Sequence, residues 1–171
     1  MGMDVYGIKP KENMPRKTLK TMDKFDSMSF EDKWNVLDKD EKLSTLYWEE
    51  KDMYEEANRG VYFSNNVWWW RPLWDYCFTI CDVIDRGTYE GGQHNSGAGL
   101  NSRDSRRLAR ILFEEISSGR ALLYKAHYDA KCEQKKIDSP KDRFATGYPF
   151  SVENVEDFAK FLMECGGFKI N

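Results

Sequence analysis

Apolar residues recur at helical spacing through most of this chain and follow strand-like patterns in only three short stretches. Asp4-Val5-Tyr6-Gly7-Ile8 reads as a short strand, and residues 9–24, with Pro10, Asn13 and Pro15, read as an exposed basic loop. Ser29 is placed to cap a helix with Phe30, Trp34 and Leu37 on one face. A second helix over 39–58 aligns Leu43, Leu46, Tyr47 and Tyr54, and its other side is strongly acidic. Val61 to Trp70 is rich in β-branched and aromatic residues and reads as a strand. Pro72 suits the first turn of a helix running to Ile84, with Leu73, Tyr76, Cys77, Ile80, Cys81 and Ile84 as its apolar stripe.

Residues 85–101 form a polar loop with five glycines. Ser102 is placed to cap a helix with Leu108, Ile111, Leu112 and Ile116 inward, and Gly119 stops it. A helix over 120–135 offers Leu122, Leu123, Ala126 and Ala130. Ser151 caps a last helix carrying Val155, Phe158, Ala159 and Leu162. Gly166-Gly167 ends it and releases Phe168-Lys169-Ile170, a strand positioned to pair with Val5-Tyr6-Gly7. The expectation is α+β: a helix-rich single domain, residues 1–171, around a small sheet made by both termini and the tryptophan strand.

The tryptophans sharpen the picture. Four of the six lie at positions 68, 69, 70 and 74. In a strand, alternate side chains face opposite sides, so Trp68 and Trp70 would share one face. With Tyr62 and Arg71 they would form a platform for a flat ring or a sugar, with core packing as the competing use of the same rings. Asn65 and Asn66 are polar within that strand, so their amides need protein partners or a ligand.

The segment Gly91-Gly92-Gln93-His94-Asn95-Ser96-Gly97-Ala98-Gly99 precedes a helix N-terminus, whose free amides and dipole favour an anion. It lacks the Lys-Ser/Thr of a phosphate-binding Walker loop and the third glycine of a dinucleotide fingerprint, so it is either an anion cradle or a plain connection. Arg103, Arg106, Arg107 and Arg110 then form a stripe. That stripe either salt-bridges the acidic helix at 39–58 or lends Arg103 and Arg107 to the anion site, arginine being suited to bidentate anion binding. His94, beside Asn95, has the residue type of a general base, but no nucleophile is tied to it by local sequence.

Composition narrows the partners. At 40% apolar and 32% charged the chain reads as globular, and a net charge of −3 gives no general drive toward nucleic acid or membranes. No apolar run approaches the roughly 18 residues of a membrane span, and the N-terminus has no apolar signal core, so a cytosolic chain is expected. Tyr6 stands where a myristoylation motif wants Ser or Thr. Four cysteines without a CxxC pair point to free thiols and to neither a metal nor a cofactor.

The run Val61-Tyr62-Phe63-Ser64-Asn65-Asn66-Val67-Trp68-Trp69-Trp70-Arg71-Pro72-Leu73-Trp74 resembles an uncharacterised family of bacteriophage and bacterial proteins. Met3-Asp4-Val5-Tyr6-Gly7, Tyr148-Pro149-Phe150-Ser151-Val152-Glu153-Asn154-Val155 and Cys165-Gly166-Gly167-Phe168 resemble the same family's ends. The resemblance implies a small phage-associated protein, located in the host cytosol, and carries no activity with it. Its members pass quickly from the first strand to the tryptophan run, which makes residues 11–58 a helical insertion. Some carry CxxC pairs before the terminal helix, where this chain has Cys132 alone.

The leading expectation is a non-enzymatic binding protein for an anionic, nucleotide-like ligand. Tyr62, Trp68, Trp70 and Arg71 would stack the ring, with Asn65, Asn66, His94 and Asn95 as polar contacts. Gly97, Gly99, Arg103 and Arg107 would hold the charge. Such a pocket in a phage protein would suit sequestration of a host signalling nucleotide. A protein-interaction module or inhibitor acting on a host protein through the acidic helix is the first alternative. A nucleotide or phosphodiester hydrolase using His94 is the second. Oligomeric state is left open.

Overall fold

A computed structural model describes residues 2–139 and 148–171. The chain gathers into two compact units, Met1–Pro10 with Gly60–Asn171, and Lys11–Arg59. Among the described residues no helix is long and apolar enough to cross a membrane.

The first unit is built on a three-stranded antiparallel sheet. β1 (Gly2–Gly7) is central, β2 (Tyr62–Asn66) and β3 (Phe168–Ile170) flank it, and the fold is α+β as the pattern predicts. Val5 pairs with Phe63 on one side and Ile170 on the other. Alternation puts Met3, Val5, Phe168 and Ile170 inward, with Asp4, Tyr6 and Lys169 on the other face. Against the inner face lie α4 (Val67–Ile80) and α8 (Val152–Glu164), and α6 (Ser102–Ser117) packs along α8. Phe158, Phe161 and Leu162 of α8 and Leu108 and Leu112 of α6 are fully buried there.

The tryptophan run is helix, not strand. Asn66 ends β2 and caps α4, its Oδ1 accepting the N–H groups of Trp68 (3.0 Å) and Trp69 (3.1 Å). Successive residues then turn by about 100°, so Trp68 and Trp70 do not share a face. Trp70 and Trp74, four apart, do. They stack at 5.3 Å, and neither exposes any surface. Pro72 sits inside α4 instead of opening it, because the cap lies six residues upstream.

Both buried indoles are satisfied. Trp70 Nε1 donates to the Gly92 carbonyl at 2.7 Å and Trp74 Nε1 to that of Tyr89 at 3.0 Å. Those acceptors sit at the end of α5 (Arg86–Gly91), capped by Asp85, within the stretch expected to be loop. Gly92 leaves no room for a side chain: a Cβ there would lie 2.4 Å from Trp74 Nε1. α7 (Arg120–Asp138) follows Gly119, and its inward face is offset from the expected stripe. Ala121 is buried, and Tyr124 and Tyr128 pack toward Phe150, whereas Leu122 and Leu123 are exposed.

The second unit contains a 3-10 turn (Arg16–Thr18), α1 (Lys20–Asp26), α2 (Phe30–Leu37) and α3 (Glu41–Ala57). The expected loop over 9–24 thus includes helix. α1 has no side-chain cap of its own, and the Glu50 carboxylate on α3 accepts the Met22 N–H at 2.7 Å. Ser29 caps α2 as expected. Leu19, Met22, Phe25, Leu37, Tyr47 and Tyr54 form the unit's core. Asn58, fully buried, accepts the N–H groups of Asn13 and Met14, closing the two ends of the unit together. Asp26 accepts hydrogen bonds from Lys33 Nζ and Tyr47 OH, each at 2.9 Å. Burial pushes the Asp26 carboxyl up, but the bonds from Lys33 and Tyr47 outweigh it and leave its pKa below the usual value.

Trp70→Ala is expected to cost about 3–5 kcal/mol, as large aromatic truncations in cores do, read from chemical denaturation. Asp26, with its folded pKa depressed, contributes stability that is present above the unfolded value and lost as pH falls through the folded one. Asp26→Asn should therefore flatten the acid limb of stability against pH, followed by circular dichroism.

Candidate ligand site

The first turns of α4 hold the residues that the fold brings together. Trp68 and Arg71, three apart, both reach Tyr148, which precedes Pro149 and α8. The Trp68 and Tyr148 rings stack with centroids 4.7 Å apart and planes 28° from parallel. Arg71 Nη1 donates to Tyr148 Oη at 3.0 Å, and its guanidinium carbon lies 5.6 Å from the ring centroid. Arg71 is half-buried, and Trp68 is 43% exposed. Tyr148 also lines a cleft of about 320 Å³ with Tyr128, Asp129, Cys132, Glu133, Lys136 and Pro149. Tyr128 Oη donates to the Tyr148 carbonyl at 2.7 Å and fixes that wall. Burial first, then the neighbouring Cys132, pushes the Tyr128 phenol well above its ordinary pKa.

The asparagines support this corner and do not present amides to a ligand. Asn66 is spent on the α4 cap, and Asn65 Nδ2 donates to Asn154 Oδ1 of α8 at 2.9 Å. Asn154 in turn donates to the Trp69 carbonyl at 3.4 Å. Tyr148 and Asn154 are the residues that local reasoning missed. The sole hint was that two asparagines in a strand need partners.

The remaining expected site residues lie elsewhere. Trp70 is sealed in the core with its N–H bonded to Gly92, so it offers no stacking face. The glycine loop is an extra edge along β3. Gly97 N–H donates to the Ile170 carbonyl, while Ala98 and Leu100 carbonyls accept from Ile170 and Phe168. Gly99 is required by close approach, since a Cβ there would stand 1.8 Å from the Phe168 oxygen. Asn101, and not the expected Ser102, caps α6, its Oδ1 accepting the N–H groups of Arg103 and Asp104, so Ser102 is the first helical residue. Of the donors expected to cradle an anion, the Gly97 N–H is spent on β3 and those of Arg103 and Asp104 on the cap.

Arg107 pairs with Asp82 at 2.8 Å, and Arg103 is exposed. His94 is exposed, and Asn95 donates to the Gly2 carbonyl at 3.3 Å. The four cysteines are free, and among the described residues no His, Cys, Asp and Glu group is arranged to hold a metal ion.

Tyr62 belongs to a separate cluster on the outer sheet face, donating to Asp4 Oδ1 at 2.5 Å with its ring 5.1 Å from that of Tyr6. Burial, then the bond to Asp4, pushes the phenol up to about 12. The folded chain keeps this proton after the unfolded chain, with a pKa of about 10, has lost it. The contribution is complete below pH ~10 and disappears as pH rises through about 12. Denaturation midpoints should therefore fall less steeply over that window in Tyr62→Phe than in the native chain.

Comparison of the chain with protein families, with curated proteins and with solved structures returns no match, so the site stands on its own geometry.

Proposed function

We propose that the chain is a non-enzymatic binding protein for an anionic, ring-containing ligand of nucleotide type, held on Trp68, Arg71 and Tyr148. One observation carries this reading: an exposed indole and a half-buried guanidinium converge on one tyrosine that also lines a cleft. The indole, stacked on Tyr148 and 43% exposed, supplies aromatic surface, and base–aromatic stacking is worth about 1–3 kcal/mol per base. Arg71 uses one donor on Tyr148, and its other N–H groups have no partner among the described residues. Held in place by Tyr148, they suit a phosphate or carboxylate. Lys136 at the cleft is paired with Glu133, so the anion contact proposed here is Arg71.

The hydrolase reading has weaker support, because the exposed His94 side chain has no orienting partner among the described residues. The resemblance to phage proteins makes bacterial signalling nucleotides the first ligands to try.

Calorimetric titration with mono-, cyclic and dinucleotides should show saturable binding. Trp68→Ala and Arg71→Ala should each weaken it at least about tenfold with unchanged circular dichroism, in line with the stacking range. Arg103→Ala should leave it intact. Absence of heat from the native chain across the panel overturns the proposal. A loss confined to Arg103→Ala returns the site to the glycine loop.

A further inference from the structure

We propose that the aromatic row Phe30–Trp34–Trp48 on the second unit docks a cationic amphipathic segment of a partner protein. Phe30 and Trp34 lie four apart on α2 with centroids 6.0 Å apart, and Trp34 meets Trp48 of α3 at 6.1 Å. Phe30 is 77% exposed, Trp48 is 40% exposed and Trp34 is half-buried. The unit does not need these rings outside: Leu19, Met22, Phe25, Leu37 and Tyr47 already close its core. Contiguous exposed aromatics of this kind are enriched at protein interfaces, where tryptophan is a frequent hot spot.

Charge decides the occupant. Glu31 precedes Trp34 by three residues and Asp38 follows it by four, so both flank the row on α2. Asp52 follows Trp48 by four on α3, and Glu41 precedes it by seven, two turns toward the helix start. All four carboxylates are exposed, and none makes an ion pair with a described residue of the unit. Two basic groups next to the row are committed. Lys33 turns inward to Asp26 and Tyr47, and Lys51 pairs with Glu55 at 3.8 Å.

Lys51 Nζ also lies 5.0 Å from the Trp48 ring centroid, which shows that this ring accepts a cation. Glu49 and Glu56 add two exposed carboxylates further along α3, whose C-terminal end is already the negative pole of the helix dipole. An apolar strip with a carboxylate rim fits a helix bearing leucine on one face and lysine or arginine beside it. It repels nucleic acid phosphate. This surface is independent of the Trp68 site.

The test uses the full chain and a fluorescein-labelled amphipathic helix of leucine, lysine and arginine, with a leucine–glutamate helix as control, read by anisotropy. The cationic helix should bind saturably and the acidic one should not. Phe30→Ser and Trp48→Ser should each weaken binding at least about tenfold, the scale of a hot-spot loss. Salt at about 1 M, where screening acts over roughly 3 Å, should do the same.

The double variant Glu31→Lys, Asp52→Lys should reverse the preference toward the acidic helix, and Trp68→Ala should change nothing. Phe30 is so exposed that its variant keeps the fold, and it decides alone if Trp48→Ser loses helicity. No binding, equal binding of both helices, or a native dimer that Phe30→Ser converts to monomer in sedimentation overturns the proposal.

Discussion

The first unit depends on one buried pair. Trp70 and Trp74 stack inside the core, and each gives its only polar hydrogen to a backbone carbonyl of the α5 region. A buried indole N–H without an acceptor costs as much as a lost hydrogen bond, so the position of α5 and the turn after it follows from these two rings. Gly92 is part of the same constraint, because any side chain there would enter the Trp74 ring. The glycine that invites a ligand reading is a packing glycine.

That pair also explains the site. The run Trp68-Trp69-Trp70 could serve strand or helix, and Trp70 and Trp74, four apart, would share a face in either; only the helix also turns Trp68 away from the face that buries Trp70. With Asn66 capping at the start, Trp68 and Arg71 are turned out of the core and onto Tyr148. The surface indole is thus a by-product of sealing its neighbours. Asn65 and Asn154 tie β2 to α8 beside it and hold the corner rigid.

Much of the framework was legible. Ser29 and Ser151 cap the helices they were expected to cap, and β3 pairs with Val5, Tyr6 and Gly7 in the anticipated place. The candidate site was legible only in part. Trp68 and Arg71 do meet, but on Tyr148, which lies 77 residues beyond Arg71 and carries no local signal. Trp70 and the glycine loop were read as ligand-facing because their partners, Gly92 and β3, are distant in the chain or have no periodicity of their own. α1 was missed for the same reason, since one of its first-turn amides, that of Met22, is satisfied by Glu50 on another helix.

Taken alone, the sequence determined the fold class, the pairing of the terminal strand with the first, and the inward faces of α6 and α8. Those features rest on caps and periodicities that act over one to four residues, within reach of any local reading. Tertiary structure decided the conformation of the tryptophan run, the pairing of the glycine loop with β3, and the convergence on Tyr148. In each case a polar group or ring had two locally acceptable uses. The choice fell to whichever partner, far away in sequence, buried the ring or satisfied the donor.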